Sequence, residues 1–282
     1  MIITVPQLAA DALGSILAAD MRRLFGPQNA RLTELLPVAA HLALDCIGTS
    51  DALYHNVEHT MLVTLVARDI AYGRALLVPT TAEDNAHLFV ACLMHDIGYV
   101  RGILKADTPS AYVIDDSGRT VSLPRGASDA ALQPYHVERS KLFALDRLAP
   151  SPDLDAARIA RAIEATRFPP AAPPGEEHID EEGSLVRAAD LIGQLGDPHY
   201  LHKANALYYE FEEIGMNRQR GYNSPADVIE QYPRFYWDNV FPLVQTAVRY
   251  LNVTAAGRQW LANLYSNVFR AEREISLSGL PH

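Results

Sequence analysis

The chain has 282 residues, 49% of them hydrophobic and 21% charged, which excludes an intrinsically disordered polypeptide and leaves ample material for a buried core. Its 24 basic and 34 acidic residues give a formal charge of -10, a field that disfavours nucleic-acid backbones and anionic membranes as partners. Two cysteines, Cys46 and Cys92, are too few for a disulfide framework or a thiolate zinc cluster, and both fall in apolar runs expected in the core.

The segment MIITVPQLAADALGSILAADMRR carries no basic leader, and its apolar residues recur at helical spacing. A first helix over 6–25 and a soluble cytoplasmic protein are therefore expected. The same periodicity predicts helices over 30–46 and 56–72. At the start of the second lies Tyr54-His55-Asn56-Val57-Glu58-His59, where a four-residue spacing would, on a helix, project both imidazoles from one face. Such a pair reads either as a site for metal or protons, or as surface histidines.

Next comes a helix over 81–98, with Thr81 and Asp84 close to a capping box. Its sequence LFVACLMHDIGY is almost wholly apolar up to His95-Asp96. Burying an imidazole beside a carboxylate costs several kcal/mol unless the two are paired or bound to metal. A metal holds both economically; a hydrogen-bonded helix cap is the alternative. Residues 111–123, AYVIDDSGRTVSL, read as a β-hairpin, serving as a lid, an oligomer contact or a bare connector.

Helices follow over 128–148 and 153–166, then a Pro- and Gly-rich loop over 168–180. A helix over 181–195 contains LVRAADLIG, where Asp190 interrupts an apolar run and requires a cation. Arg187, three residues earlier, is one candidate and a metal the other. Helices over 198–214, 226–250 and 254–275 complete the chain. The expected fold is all-α, a single multi-helix domain over 1–282 with one small β-hairpin insertion. His41, His87, His178, His199, His202 and His282 lack supporting partners and read as structural or surface groups.

Taken together, a histidine pair, a His-Asp step and a later isolated aspartate on a helix resemble the HD-domain superfamily of metal-dependent phosphohydrolases. Within it, Tyr-His-Asn-x-x-His at 54–59 is similar to the signature of the cyclic-nucleotide phosphodiesterases. The resemblance implies His55 as general acid, His59, His95, Asp96 and Asp190 as ligands of a first metal, and Asp96 as a bridge to a second. It implies an HD core over about 51–200, with helices over 201–276 completing the pocket. His136 and Glu138, in Tyr-His-Val-Glu, fall where the family places groups around metal-bound water. Arg167 stands where the family's Ala-Thr-Asp helix ends in aspartate. Phe235 aligns with the base-clamping phenylalanine, and the base-reading glutamine falls on Tyr232, one place from Gln231.

Such a donor set of nitrogen and oxygen without thiolate suits one or two divalent ions, Mn, Mg, Fe or Zn. The implied reaction is hydrolysis of a small phosphorylated substrate, a phosphodiester of a cyclic nucleotide foremost, with water activated by metal and a proton supplied by His55. Arg101 or Arg167 would hold a phosphate that is not transferred. A nucleoside monophosphate phosphatase, an HD-type diiron oxygenase and a non-enzymatic metal-binding module are the competing readings. Self-association into a homo-oligomer is left open by the sequence.

Overall fold

The computed structural model describes residues 2–170 and 179–278, with side chains described up to residue 273. Most of the expected loop at 168–180, with His178, lies outside the described residues, as does His282. Twelve α-helices and one two-stranded antiparallel hairpin make up the described fold, which is all-α as expected. No described helix is long and apolar enough to cross a membrane.

The chain begins with a helical hairpin, α1 (Val5–Phe25) and α2 (Ala30–Ile47). Thr4 and Gln7 form a capping box at the start of α1. The two helices cross where a Cβ on Gly14 would meet Pro37 Cα at 2.7 Å, so only glycine permits this approach. Helix α3 (Val57–Leu77) then runs through the middle of the molecule, packed on α4 (Ala82–Met94), α7 (Glu181–Leu195) and α11 (Gln245–Leu251). Asn56 caps α3, its side chain accepting from the N–H of Glu58 and His59 at 2.9 and 3.3 Å.

Helix α4 has the Thr81–Asp84 capping box and buries nearly every residue after its first turn. It stops at Met94, earlier than the periodicity predicts; His95 and Asp96 form a turn, and Ile97–Tyr99 is a 3-10 turn. The hairpin pairs β1 (Tyr112–Val113) with β2 (Thr120–Val121), Tyr112 opposite Val121. The helix expected over 128–148 is instead a 3-10 segment, Asp129–Tyr135, followed by α5 (His136–Leu148). Pro134 explains the division, since it supplies no N–H and its ring crowds the preceding turn.

Helix α6 (Ala156–Glu164) packs on α4, α5 and α7. Beyond α7 come α8 (Tyr200–Glu213), the short α9 (Met216–Arg220) and α10 (Pro225–Phe235). The single helix expected over 226–250 breaks after Phe235 into a π turn, Tyr236–Val240, and a 3-10 turn, Phe241–Leu243, before α11. Pro242, which cannot donate into a continuing helix, sits at that break. Helix α12 (Ala255–Ser278) closes the fold against α10 and α11. One continuous apolar core runs from Ala10 to Ala271, with a smaller cluster of Tyr54, Ala204, Leu207, Tyr222 and Val228 beneath α8 and α10.

Candidate metal centre

Three elements place the four expected ligands. Asn56 starts α3 so that His59 occupies its first turn. The end of α4 delivers His95 and Asp96, and Asp190 lies in the last turns of α7. Because α3 packs on both α4 and α7, the side chains converge. His59 Nε2 lies 3.3 Å from Asp96 Oδ2 and 3.2 Å from Asp190 Oδ1. His95 Nε2 lies 3.1 and 3.5 Å from the same two oxygens.

Hydrogen bonds do not account for this cluster. His59 Nδ1 and Nε2, His95 Nε2 and Asp96 Oδ2 are all buried without a hydrogen-bond partner, an arrangement that costs on the order of 1–3 kcal/mol per group if nothing fills it. Neighbouring donors held about 2.1 Å from a common ion stand roughly 3.0–3.4 Å apart, close to the 3.1–3.5 Å of the four nitrogen–oxygen pairs. The tautomers agree. His95 Nδ1–H donates to the Cys92 carbonyl at 2.8 Å, which leaves the Nε2 lone pair facing the carboxylates. Burial opposes the charged forms, yet the mutual fields prevail: Asp96 and Asp190 are held well below the usual carboxylate range by His95 and His59, and His95 is raised by both aspartates. With both imidazoles neutral, as ligation requires, the two carboxylates give a site of about two negative charges that suits a divalent cation.

Two more histidines flank it. His136 Nδ1–H donates to the Gln133 carbonyl at 2.5 Å, and its Nε2 lies 3.7 Å from Asp96 Oδ1. Burial pulls its pKa down, so it is a neutral lone-pair donor beside the second oxygen of Asp96. His55 is held differently from the expectation. It lies outside α3, ahead of the extended Asn56 cap, so it does not share a helix face with His59. Its ring is fixed by Glu210 of α8, whose Oε2 accepts from His55 Nδ1 at 2.5 Å. Glu210 Oε1 accepts from the backbone N–H of Tyr54 at 2.6 Å and of His55 at 3.2 Å. Burial acts to lower the pKa of His55, but Glu210, with Asp96 and Asp190 behind it, raises it to about 9. The ring of Tyr99 is stacked between those of His55 and His136, with centroids 4.5 and 4.6 Å away.

His55, Asp96, His136 and Asp190 form one end of a cavity of about 120 Å3. Its other walls are mostly aromatic and aliphatic, Tyr200, Tyr232 and Phe235 among them, with Gln133, Thr166, Gln194 and Arg220 as the polar exceptions. Phe235 lines the cavity as expected and packs edge-on against Phe168, with centroids 5.6 Å apart. Gln231 does not: the inward face of α10 carries Val228 and Tyr232, four residues apart, and Gln231 is exposed.

Glu138 and Arg167 also lie away from the metal end. Glu138 pairs with Lys141 at 2.8 Å, Arg167 pairs with Glu164, and both line a separate surface depression beside Asp115. Arg101 is engaged by Asp129 and Asp51 and is no free phosphate ligand. Glu58 is exposed and paired with Lys203.

Glu210 and Tyr99 were not anticipated. Glu210 does have a sequence signal, since it falls three residues after Leu207 on the inward face of α8, but the neighbouring Glu212 and Glu213 carry the same composition outward.

The family model described as Npun_R2479-like matches residues 3–274, so the chain belongs to the Npun_R2479-like family. No curated protein and no solved structure matches it.

Proposed function

We propose that this member of the Npun_R2479-like family is a metal-dependent phosphohydrolase of the HD type, and that it cleaves a phosphate ester, with a nucleotide phosphodiester as the substrate class. The observation that carries the reading is the set of buried, unsatisfied donor atoms on His59, His95 and Asp96, closed by Asp190 at ligand-like spacing. His59, His95, Asp96 and Asp190 would hold the ion, with His136 beside the outer oxygen of Asp96. A divalent ion bound there, Mn, Mg, Fe or Zn, would polarise the phosphoryl group and make water nucleophilic near neutral pH.

The protein's own part is proton supply and positioning. Glu210 keeps His55 protonated at Nδ1 and aims its other nitrogen into the cavity, where a leaving alkoxide needs a proton. Tyr99 fixes the plane of that ring. The aromatic walls suit the flat, apolar part of a nucleotide, with Phe235 and Tyr232 where the resemblance places base contacts.

The test is hydrolysis of bis(p-nitrophenyl) phosphate by the purified protein. Turnover is expected only with divalent metal and is lost on chelation; turnover that survives exhaustive chelation refutes the proposal. His55→Ala is expected to retain metal while losing about 10²- to 10⁴-fold in kcat. Loss of metal in that variant would make His55 a ligand instead.

A further inference from the structure

Arg220 is the last residue of α9, and Gly221 after it stops the helix in the left-handed conformation at φ 72. The segment is anchored by buried Asn217. Its side-chain amide nitrogen donates to the Tyr208 carbonyl and to Glu212 Oε2, both at 2.9 Å, and its backbone carbonyl accepts from Tyr222 N–H at 2.9 Å. Arg220 lines the same cavity as His55, Asp96 and Asp190. Its guanidinium carbon lies 5.7 Å from the centre of the Phe211 ring and 5.8 Å from that of Phe235.

Arg220 makes no hydrogen bond or ion pair among the described residues. Arg101, Arg139, Arg158 and Arg167 are all engaged by carboxylates. The two rings flank the guanidinium of this half-buried residue, but they satisfy none of its five N–H donors. Asp96 and Asp190, the only acids among the described residues that line the cavity, belong to the metal end. A ligand that filled the cavity with neutral groups alone would strand this cation without a partner.

We propose that Arg220 binds an anionic group of the substrate, phosphate or carboxylate, set apart from the ester that is cleaved, so that the enzyme selects phosphate esters carrying two anionic groups. A guanidinium is shaped to take such an oxyanion through two parallel hydrogen bonds. In a chain of charge -10, a dianionic ligand is held where cations offset the field, and the cavity has two such ends, the metal end with protonated His55 beside it and Arg220. The proposal rests on the phosphohydrolase reading, in which a phosphoryl group occupies the metal end.

The experiment measures, by calorimetry on the protein loaded with Mn2+ or Zn2+, binding of plain alkylphosphonates and of phosphonocarboxylates whose carboxylate is spaced by one to six carbons. At one spacer length the carboxylate is expected to tighten binding about tenfold or more. Arg220→Met is expected to abolish that increment and leave the plain alkylphosphonate unchanged, and Arg220→Lys to retain part of it. An increment that survives in Arg220→Met, no increment at any length, or equal loss for both ligands overturns the proposal while the phosphohydrolase reading stands. Failure of the plain alkylphosphonates themselves to bind the metal-loaded protein overturns that reading, and the proposal with it.

Discussion

Glu210 takes hold of His55 twice, through the ring Nδ1 at 2.5 Å and the backbone N–H at 3.2 Å. It joins α8 to the turn before α3 and fixes both the orientation and the protonation of one imidazole. Glu210→Gln should lower kcat about 10- to 100-fold with metal content unchanged. Burial already favours neutral imidazole, and Glu210 is the main group opposing it. Without that carboxylate the pKa of His55 falls, so the alkaline limb of the pH–rate profile should move to lower pH. An unmoved limb would mean that His55 is not the group donating the proton.

Substituting the ligands should act on metal content first. His59→Ala, His95→Ala, Asp96→Ala and Asp190→Ala are each expected to lose bound metal, measured by elemental analysis of the purified protein. In the unaltered chain, metal at a hundredfold excess over Kd should add about 2.7 kcal/mol of stability. For a protein of this size that is a rise of about 5 °C in Tm, reversed by chelation. A Tm indifferent to every divalent ion would contradict the centre.

Gly98 gives a structural test of the His-Asp turn. A Cβ there would stand 2.0 Å from the His136 carbonyl oxygen and 2.7 Å from Ser140 N. Gly98→Ala must push the turn off α5, at a cost of about 1–3 kcal/mol. Thermal unfolding should show the loss, and metal affinity should fall as Asp96 moves away from His136.

The fully buried Arg139 ties the same region together. It donates to the carbonyls of Gly98, Val100 and Val113 at 2.7, 2.8 and 2.5 Å and to Asp107 at 2.9 Å. Arg139→Met leaves Asp107 as an uncompensated buried charge, a loss of about 3–5 kcal/mol. Tm should drop by about 5–8 °C; a change of only a degree or two would show that the pair is dispensable.

The helices and the four converging candidate ligands are legible because apolar period and isolated polar residues within it are local properties. His95, Asp96 and Asp190 each interrupt an apolar run, and that interruption marks them. What escaped depends on tertiary contact. The spacing from Leu207 turns Glu210 inward, but its meeting with His55 depends on where α8 lands. Arg101 and Arg167 read as free cations because Asp129 and Glu164 satisfy them only in the fold. Helix ends were misplaced where proline acts, at Pro134 and Pro242. His55 was set on the wrong element because Asn56, part of the motif itself, is the cap that keeps it off the helix.

The proposed ligands are scattered along the chain: His59 lies in the first turn of α3, His95 and Asp96 follow α4, and Asp190 comes late in α7. The unfolded polypeptide therefore offers an ion no ready-made chelate, and capture must wait until those helices have docked. Metal should accordingly act as a latch on the finished structure, slowing its escape to the unfolded state while refolding proceeds at the same speed with or without it.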